Sequence, residues 1–215
     1  MSLTSPPPDA GQRPRRRLGI YGGTFDPVHV GHLIIASEIR ATLGLDEVLF
    51  VPASVPPHKD LTRVTPASHR LAMLRLAVAN EPGFSVDTIE LDRPGRSFTA
   101  ETLKAIQDRE PGANLWFIMG GDSLAEFRTW RTPEVIVTAA RLAVAVRPGW
   151  DVDITRAAID VPETAGRVDV MPTPLVDIAS HELRDRVRDG RPIRYLVPSD
   201  VAQYITSHGL YREGV

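Results

Sequence analysis

Apolar runs of strand length alternating with helical patterns of ten or more residues predict an α/β fold, a Rossmann-like, doubly wound parallel sheet with helices on both faces. Three observations carry this expectation. Leu18-Gly19-Ile20-Tyr21, Glu47 to Pro52, Leu115 to Met119 and Leu142 to Val146 are short and nearly continuous in apolar character, the pattern of strands buried on both sides. Between such runs, residues such as Leu33, Ala36, Ile39 and Leu43 recur at helical spacing. Finally, several polar or glycine-rich clusters follow directly after a strand. In such sheets ligands bind beyond the carboxyl ends of the strands, where the strand order reverses.

Taken in order, residues 1–16 contain Pro6-Pro7-Pro8 and all but the last residue of the basic run Arg13 to Arg17, which cannot build a core and read as a flexible arm ahead of one domain over 17–215. A secretory or twin-arginine signal fails because Gly22-Gly23-Thr24-Phe25-Asp26 interrupts the apolar segment too early. The stretch Gly22 to His32 joins the first strand to a helix. After the strand Glu47 to Pro52 comes a loop stiffened by Pro56 and Pro57 and carrying His58 and Lys59. Thr65 is expected to cap a helix with Pro66 as its first residue and Leu71, Leu74 and Val78 as its apolar stripe. Phe84 to Leu91 reads as a strand, and Ser97 to Leu103 opens a short helix rich in hydroxyls. Leu115 to Met119 runs into Gly120-Gly121-Asp122-Ser123, and Thr132-Pro133 opens another helix. Arg147-Pro148-Gly149 ends the strand that starts at Leu142. A last strand over Val168 to Met171 precedes helices at about Ser180 to Arg188 and Ser199 to Ser207.

Composition limits the function. The chain has 215 residues, 42% of them hydrophobic, enough for one sizeable core. Its 25 basic and 27 acidic residues leave a net charge of -2, so no general field draws in nucleic acid or an anionic membrane. Any anion has to be caught by local groups. The lack of cysteine excludes disulfides and thiolate metal sites and fits a reducing cytoplasm. No apolar run approaches the roughly 18 residues needed to span a bilayer. Homo-oligomerisation is left open.

The turn at Gly22 to His32 is the first candidate site. A strand-to-helix turn exposes backbone N–H groups and the positive end of a helix dipole, which favour phosphate. His29 and His32 add two donors on one face of the first helical turn, so a polyphosphate is the expected ligand. A zinc pair is disfavoured, because the spacing matches no zincin motif and no cysteine is available.

The ordered set of Gly-Gly-Thr-Phe-Asp-Pro-x-His-x-Gly-His at Gly22 to His32, Pro56-Pro57-His58-Lys59, Ser97-x-Thr99-x-x-Thr102-Leu103, Gly120-Gly121-Asp122-Ser123 with Phe127 and Trp130, and Arg147-Pro148-Gly149 resembles the bacterial nicotinate-nucleotide adenylyltransferases of the HxGH nucleotidyltransferase superfamily. The resemblance runs from about Arg17 to Tyr211. One motif departs: where the family has Ile-Ser-Ser-Thr-x-Ile-Arg, this chain has Ile178-Ala179-Ser180-His181-Glu182-Leu183-Arg184.

The resemblance implies a nucleotidyltransferase-type sheet and transfer of AMP from ATP to nicotinate mononucleotide, with release of pyrophosphate. The attacking phosphate monoester, with a second pKa near ~6, is already largely ionised at neutral pH and needs no strong base. No Ser-His-Asp set, paired-carboxylate motif or cysteine nucleophile is legible in the chain. The resemblance assigns Gly22, Gly23, Thr24, Phe25, His29, His32, Ser180 and Arg184 to ATP, with His29, His32, Lys59 and Arg184 acting on the phosphates. It assigns Thr99, Thr102, Asp122, Trp130 and Arg147 to the mononucleotide, Trp130 stacking on the pyridine ring. Mg²⁺ is expected to arrive on the ATP phosphates, with no dedicated protein metal site. The rivals are a related adenylyl- or cytidylyltransferase acting on nicotinamide mononucleotide or phosphopantetheine, a non-catalytic nucleotide-binding regulator, and nucleic-acid binding by the Arg13 to Arg17 arm.

Overall fold

The computed structural model describes residues 15–54, 64–93, 95–146, 152–174 and 176–212. The chain alternates strand and helix: β1 Arg17–Gly23, α1 Val30–Leu43, β2 Glu47–Pro52, α2 Ala67–Val78, β3 Phe84–Val86, α3 Thr99–Arg109, β4 Asn114–Gly120, α4 Gly121–Ala125, α5 Pro133–Ala139, β5 Arg141–Val146, α6 Ile154–Asp160, β6 Val168–Pro172, α7 Ser180–Arg188 and α8 Ser199–Ser207. The six strands form one sheet in the order β3-β2-β1-β4-β5-β6, and all five neighbouring pairs are parallel. This is the doubly wound order, with its reversal between β1 and β4. Both strands end in glycines there, and the crevice between them is where the site is sought.

Alternate side chains of each strand enter opposite faces, which yields two apolar layers. Tyr21, Val48, Phe50, Trp116 and Ile118 pack with α1, α2, α7 and α8 on one side. Leu18, Ile20, Leu49, Phe117, Leu142 and Val144 pack with α3 and α5 on the other. The α1 stripe is as expected, with Ala36 and Ile39 buried and Leu33 and Leu43 packed against the same layer. Trp116 is core, as expected, and its indole N–H donates to Asp169 Oδ2 at 3.0 Å.

Several expectations are corrected. The strand expected over Phe84 to Leu91 pairs only through Val86, since Asp87 already bonds back through its side chain to Ile89 N–H and the chain turns. Helix α2 begins one residue later than expected, with Pro66 rather than Thr65 at the cap. Its buried face is Arg70, Met73, Leu74 and Val78, so an arginine takes the place given to Leu71. Thr132 precedes α5 in a left-handed conformation and makes no side-chain cap bond, although Pro133 does occupy the first turn. Helices α4 and α6 were not foreseen. Both are short, and α6 buries no residue, so neither leaves an apolar stripe to read.

Candidate active site

The turn after β1 is interlocked rather than open. Phe25 adopts a positive φ of 49° and lays its ring over Gly23, where an added Cβ would come within 3.0 Å of it. Phe25 meets Tyr21, Phe50 and His32 edge-on or tilted, with ring centroids 5.1 to 5.8 Å apart. His29 and His32 stack at 3.7 Å. The His29 N–H donates to His32 Nδ1 at 3.2 Å, and an accepting Nδ1 carries no proton, so the neutral His32 ring holds its proton on Nε2. His29 is buried, and burial lowers its pKa to about 4, which keeps the ring uncharged at neutral pH. Its Nδ1 has no hydrogen-bond partner among the described residues. Gly31 approaches the ring closely: a Cβ there would stand 3.0 Å from His29 Nδ1 and 3.1 Å from its Cε1, tight enough that the ring would have to give by a few tenths of an ångström.

The late motif docks onto this turn. Ser180 Oγ donates to the Pro27 carbonyl at 2.9 Å, and Arg184 Nη1 donates to the Asp26 carbonyl at 2.7 Å. The substituted His181 is exposed. Asp26 is buried, and its carboxylate accepts from Tyr211 Oη at 2.7 Å and from the Thr65 N–H at 3.1 Å. Arg184 lies 3.9 Å from the same carboxylate. Burial, reinforced by the neighbouring Asp26 charge, pushes the Tyr211 phenol far above its ordinary range. Tyr211 therefore remains a neutral donor.

Two adjoining hollows occupy the crevice at the strand-order reversal. A smaller one, about 270 Å³, is walled by residues that include Gly22, Gly23, Phe25, His32, Asp122 and Trp130. A larger one, about 570 Å³, is reached across Gly22, Gly23 and Trp130 and extends to Thr24, Ser97, Thr99 and Arg131. The chain thus brings Gly22, Gly23, Thr24, Phe25 and His32 of the expected phosphate set and Thr99, Asp122 and Trp130 of the expected mononucleotide set to one depression, whereas His29, Ser180 and Arg184 line neither hollow. Trp130 is half-buried, its ring edge-on to Phe117 at 5.9 Å and tilted to Phe127 at 5.5 Å. Thr99 is the first residue of α3, so the N-terminus of that helix faces the hollow.

Thr102 does not join the expected set. It is 2% exposed, and its hydroxyl donates to the buried Glu90 at 2.7 Å while accepting from Arg93 at 3.0 Å. One turn into α3, its side chain points behind the wall, where its proton is already used. Lys59 and Arg147 lie outside the described residues. Asp26, Arg70 and Tyr211, which brace the turn without lining either hollow, were not among the expected residues. Arg70 left a legible signal, since it falls in helical register with Met73, Leu74 and Val78 on a core face. Tyr211, 185 residues from Asp26, left none.

A glycine-rich turn at the reversal point of a doubly wound sheet, joined to a second pocket, is the place where such folds bind nucleotide ligands. The family model described as cytidylyltransferase-like matches residues 20–186. A probable nicotinate-nucleotide adenylyltransferase of Thermomicrobium roseum is 47% identical over 196 residues, covering 91% of this chain and 92% of the relative. One from Roseiflexus sp. is 48% identical over 195 residues, covering 91% and 98%. The chain belongs to the cytidylyltransferase-like family and, within it, to the nicotinate-nucleotide adenylyltransferases. Its fold is also that of the Plasmodium falciparum nicotinic acid mononucleotide adenylyltransferase complexed with NaAD, at a TM-score of 0.75 and 20% identity over 92% of this chain and 98% of that one.

Proposed function

We propose that this chain transfers AMP from ATP to nicotinate mononucleotide, giving nicotinate adenine dinucleotide and pyrophosphate in NAD biosynthesis. The observation that carries the reading is the continuity of the two hollows across Gly22, Gly23 and Trp130, which lets two substrates meet end to end. The names of the relatives support the same chemistry. An oxygen of the mononucleotide phosphate attacks the α-phosphorus of ATP in line, and the bond from that phosphorus to the bridging oxygen breaks. The electron pair leaves with pyrophosphate.

Because the nucleophile is already ionised, the protein's contribution is alignment and charge stabilisation. His32 serves as a fixed Nε2–H donor to the polyphosphate. His29 is assigned to the same phosphates, its neutral ring stacked on His32. Ser180 and Arg184 bring the α7 N-terminus to the same turn, and Lys59 adds a point charge. Thr99, Asp122, Trp130 and Arg147 receive the mononucleotide. Mg²⁺ would arrive on the ATP and be held mainly by phosphate oxygens and water. When bound, the ion neutralises charge on the departing pyrophosphate. Among the described residues no helix is long and apolar enough to cross a membrane, and a cytoplasmic enzyme of two small-molecule substrates is the setting we infer.

The test is to incubate the protein with ATP and Mg²⁺ plus nicotinate mononucleotide, nicotinamide mononucleotide or phosphopantetheine, following pyrophosphate and product. Turnover with nicotinate mononucleotide is expected. No turnover with either pyridine nucleotide would sink the reading, and a preference for the amide would sink the assignment of a carboxylate substrate.

A further inference from the structure

Arg70 is 1% exposed, yet among the described residues it makes no direct bond to a carboxylate, the nearby Asp26 charge acting on it only at a distance. Its guanidinium donates instead to three carbonyls: Nε to Thr65 at 2.9 Å, Nη1 to Thr24 at 2.9 Å and Nη2 to Ser54 at 3.3 Å. These carbonyls belong to three separate segments of the rim. Thr24 is in the phosphate turn. Ser54 follows β2, and its own N–H donates at 3.0 Å to Ser97 Oγ, just ahead of α3 on the second-substrate side. Thr65 ends the connection that began after Ser54, and it is gripped twice, since its N–H is held by Asp26 of the phosphate turn.

A buried charge is expensive, and an apolar residue in register with Met73, Leu74 and Val78 would serve the core at least as well. Arg70 does something an apolar residue cannot, because one planar fork fixes three backbone segments relative to each other. We propose that Arg70 is a positioning residue that sets the spacing between the phosphate turn and the second-substrate pocket, and so the alignment of the two reacting phosphates. The proposal rests on the functional reading above. Arg70 lines neither hollow, so its effect passes through Thr24, Ser54 and Thr65.

This predicts a division between binding and turnover. Each substrate alone meets an intact half-site, whereas reaction needs both halves in register, and a misplacement of about 1 Å can cost on the order of 10²-fold in rate. Arg70→Lys keeps the charge and the stem but loses the fork, and Arg70→Gln keeps only a shorter donor. For both variants, thermal unfolding, calorimetric binding of nicotinate mononucleotide alone and of a non-hydrolysable ATP analogue with Mg²⁺ alone, and kcat would be measured. We expect folded variants, each affinity within about threefold of the unaltered protein, and kcat lower by on the order of 10²-fold. A folded variant with unchanged kcat overturns the proposal. So does weakened binding of both substrates with kcat retained, or failure of both variants to fold, either of which returns Arg70 to the scaffold. An unaltered protein that makes no dinucleotide would instead overturn the functional reading itself, and this inference with it.

Discussion

The two halves of the candidate site are built differently. The phosphate turn draws on residues close in sequence, Gly22 to His32, whose rings and backbone already satisfy one another: His29 stacks on His32, and the His29 N–H bonds the His32 ring. The larger hollow, proposed for the mononucleotide, draws on Gly23, Thr24, Ser97, Thr99 and Trp130, which meet because the sheet sets the segments after β1, β3 and β4 along one rim. The turn is therefore built from contiguous residues and braced from a distance by Ser180, Arg184 and Tyr211, whereas the pocket is assembled by topology. Substitutions in the turn should strike the chemical step, whereas those in the pocket should strike affinity.

The sharpest way to break this contrast is His32→Ala. A preorganised donor acting on developing charge is worth on the order of 10² to 10³ in kcat, so steady-state kinetics should show a loss of at least about 10²-fold with a smaller change in either KM. Near-normal turnover would remove His32 from the site.

Acid should expose the interlocking of the same turn. His29 has a folded pKa of about 4, below the unfolded value near ~6.5, so the unfolded chain binds the proton first. Its contribution is present in full above the unfolded value and is lost as pH falls from about 6.5 through about 4. Between pH 7 and 4.5 the unaltered protein should lose about 2 kcal/mol more unfolding free energy than a non-titrating His29→Asn variant, as read from denaturant midpoints at each pH. Parallel pH profiles would contradict the buried, neutral ring.

What the sequence disclosed follows the same division. The sheet class, the α1 stripe and the late helices were legible because burial imposes periodicity, and the turn from β1 to α1 was legible because its parts are contiguous. The assignments at Thr99 and Trp130 came from a resemblance, and no spacing rule would join them to Gly23. The assignment of Thr102 came from the same resemblance, and the structure buries its hydroxyl against Glu90 instead of turning it to the hollow. The grip of Asp26 on Tyr211 was invisible, since a bond across 185 residues leaves no local pattern.

Gly31 separates geometry from stability within the turn. Alanine is the better helix former by up to about 1 kcal/mol, so Gly31→Ala should leave thermal unfolding nearly unchanged. Its Cβ, however, would press on the buried His29 ring and, through the 3.7 Å stack, on His32. A shift of a few tenths of an ångström there should lower kcat about tenfold. Full activity with unchanged stability would mean that the ring has room to move.

Trp130→Ala probes the other half, and its effect should be the smallest and of a different kind. If the indole stacks on the pyridine ring, the contact lies away from the reacting phosphates and is the same in ground and transition states. Losing an aromatic pair worth about 0.5–1.5 kcal/mol should then raise KM for the mononucleotide by up to about tenfold, with kcat at saturation nearly unchanged and KM for ATP unaffected. Trp130 also touches Phe117 and Phe127, so the truncation will cost some stability. Trp130→Phe separates the two effects, because it keeps an aromatic face for the ligand while giving up part of the packing. Mononucleotide KM rescued by phenylalanine but not by alanine assigns the ring to the substrate. Equal KM in both variants and the unaltered protein would return Trp130 to the core and leave Thr99 and the α3 N-terminus to define that end of the pocket.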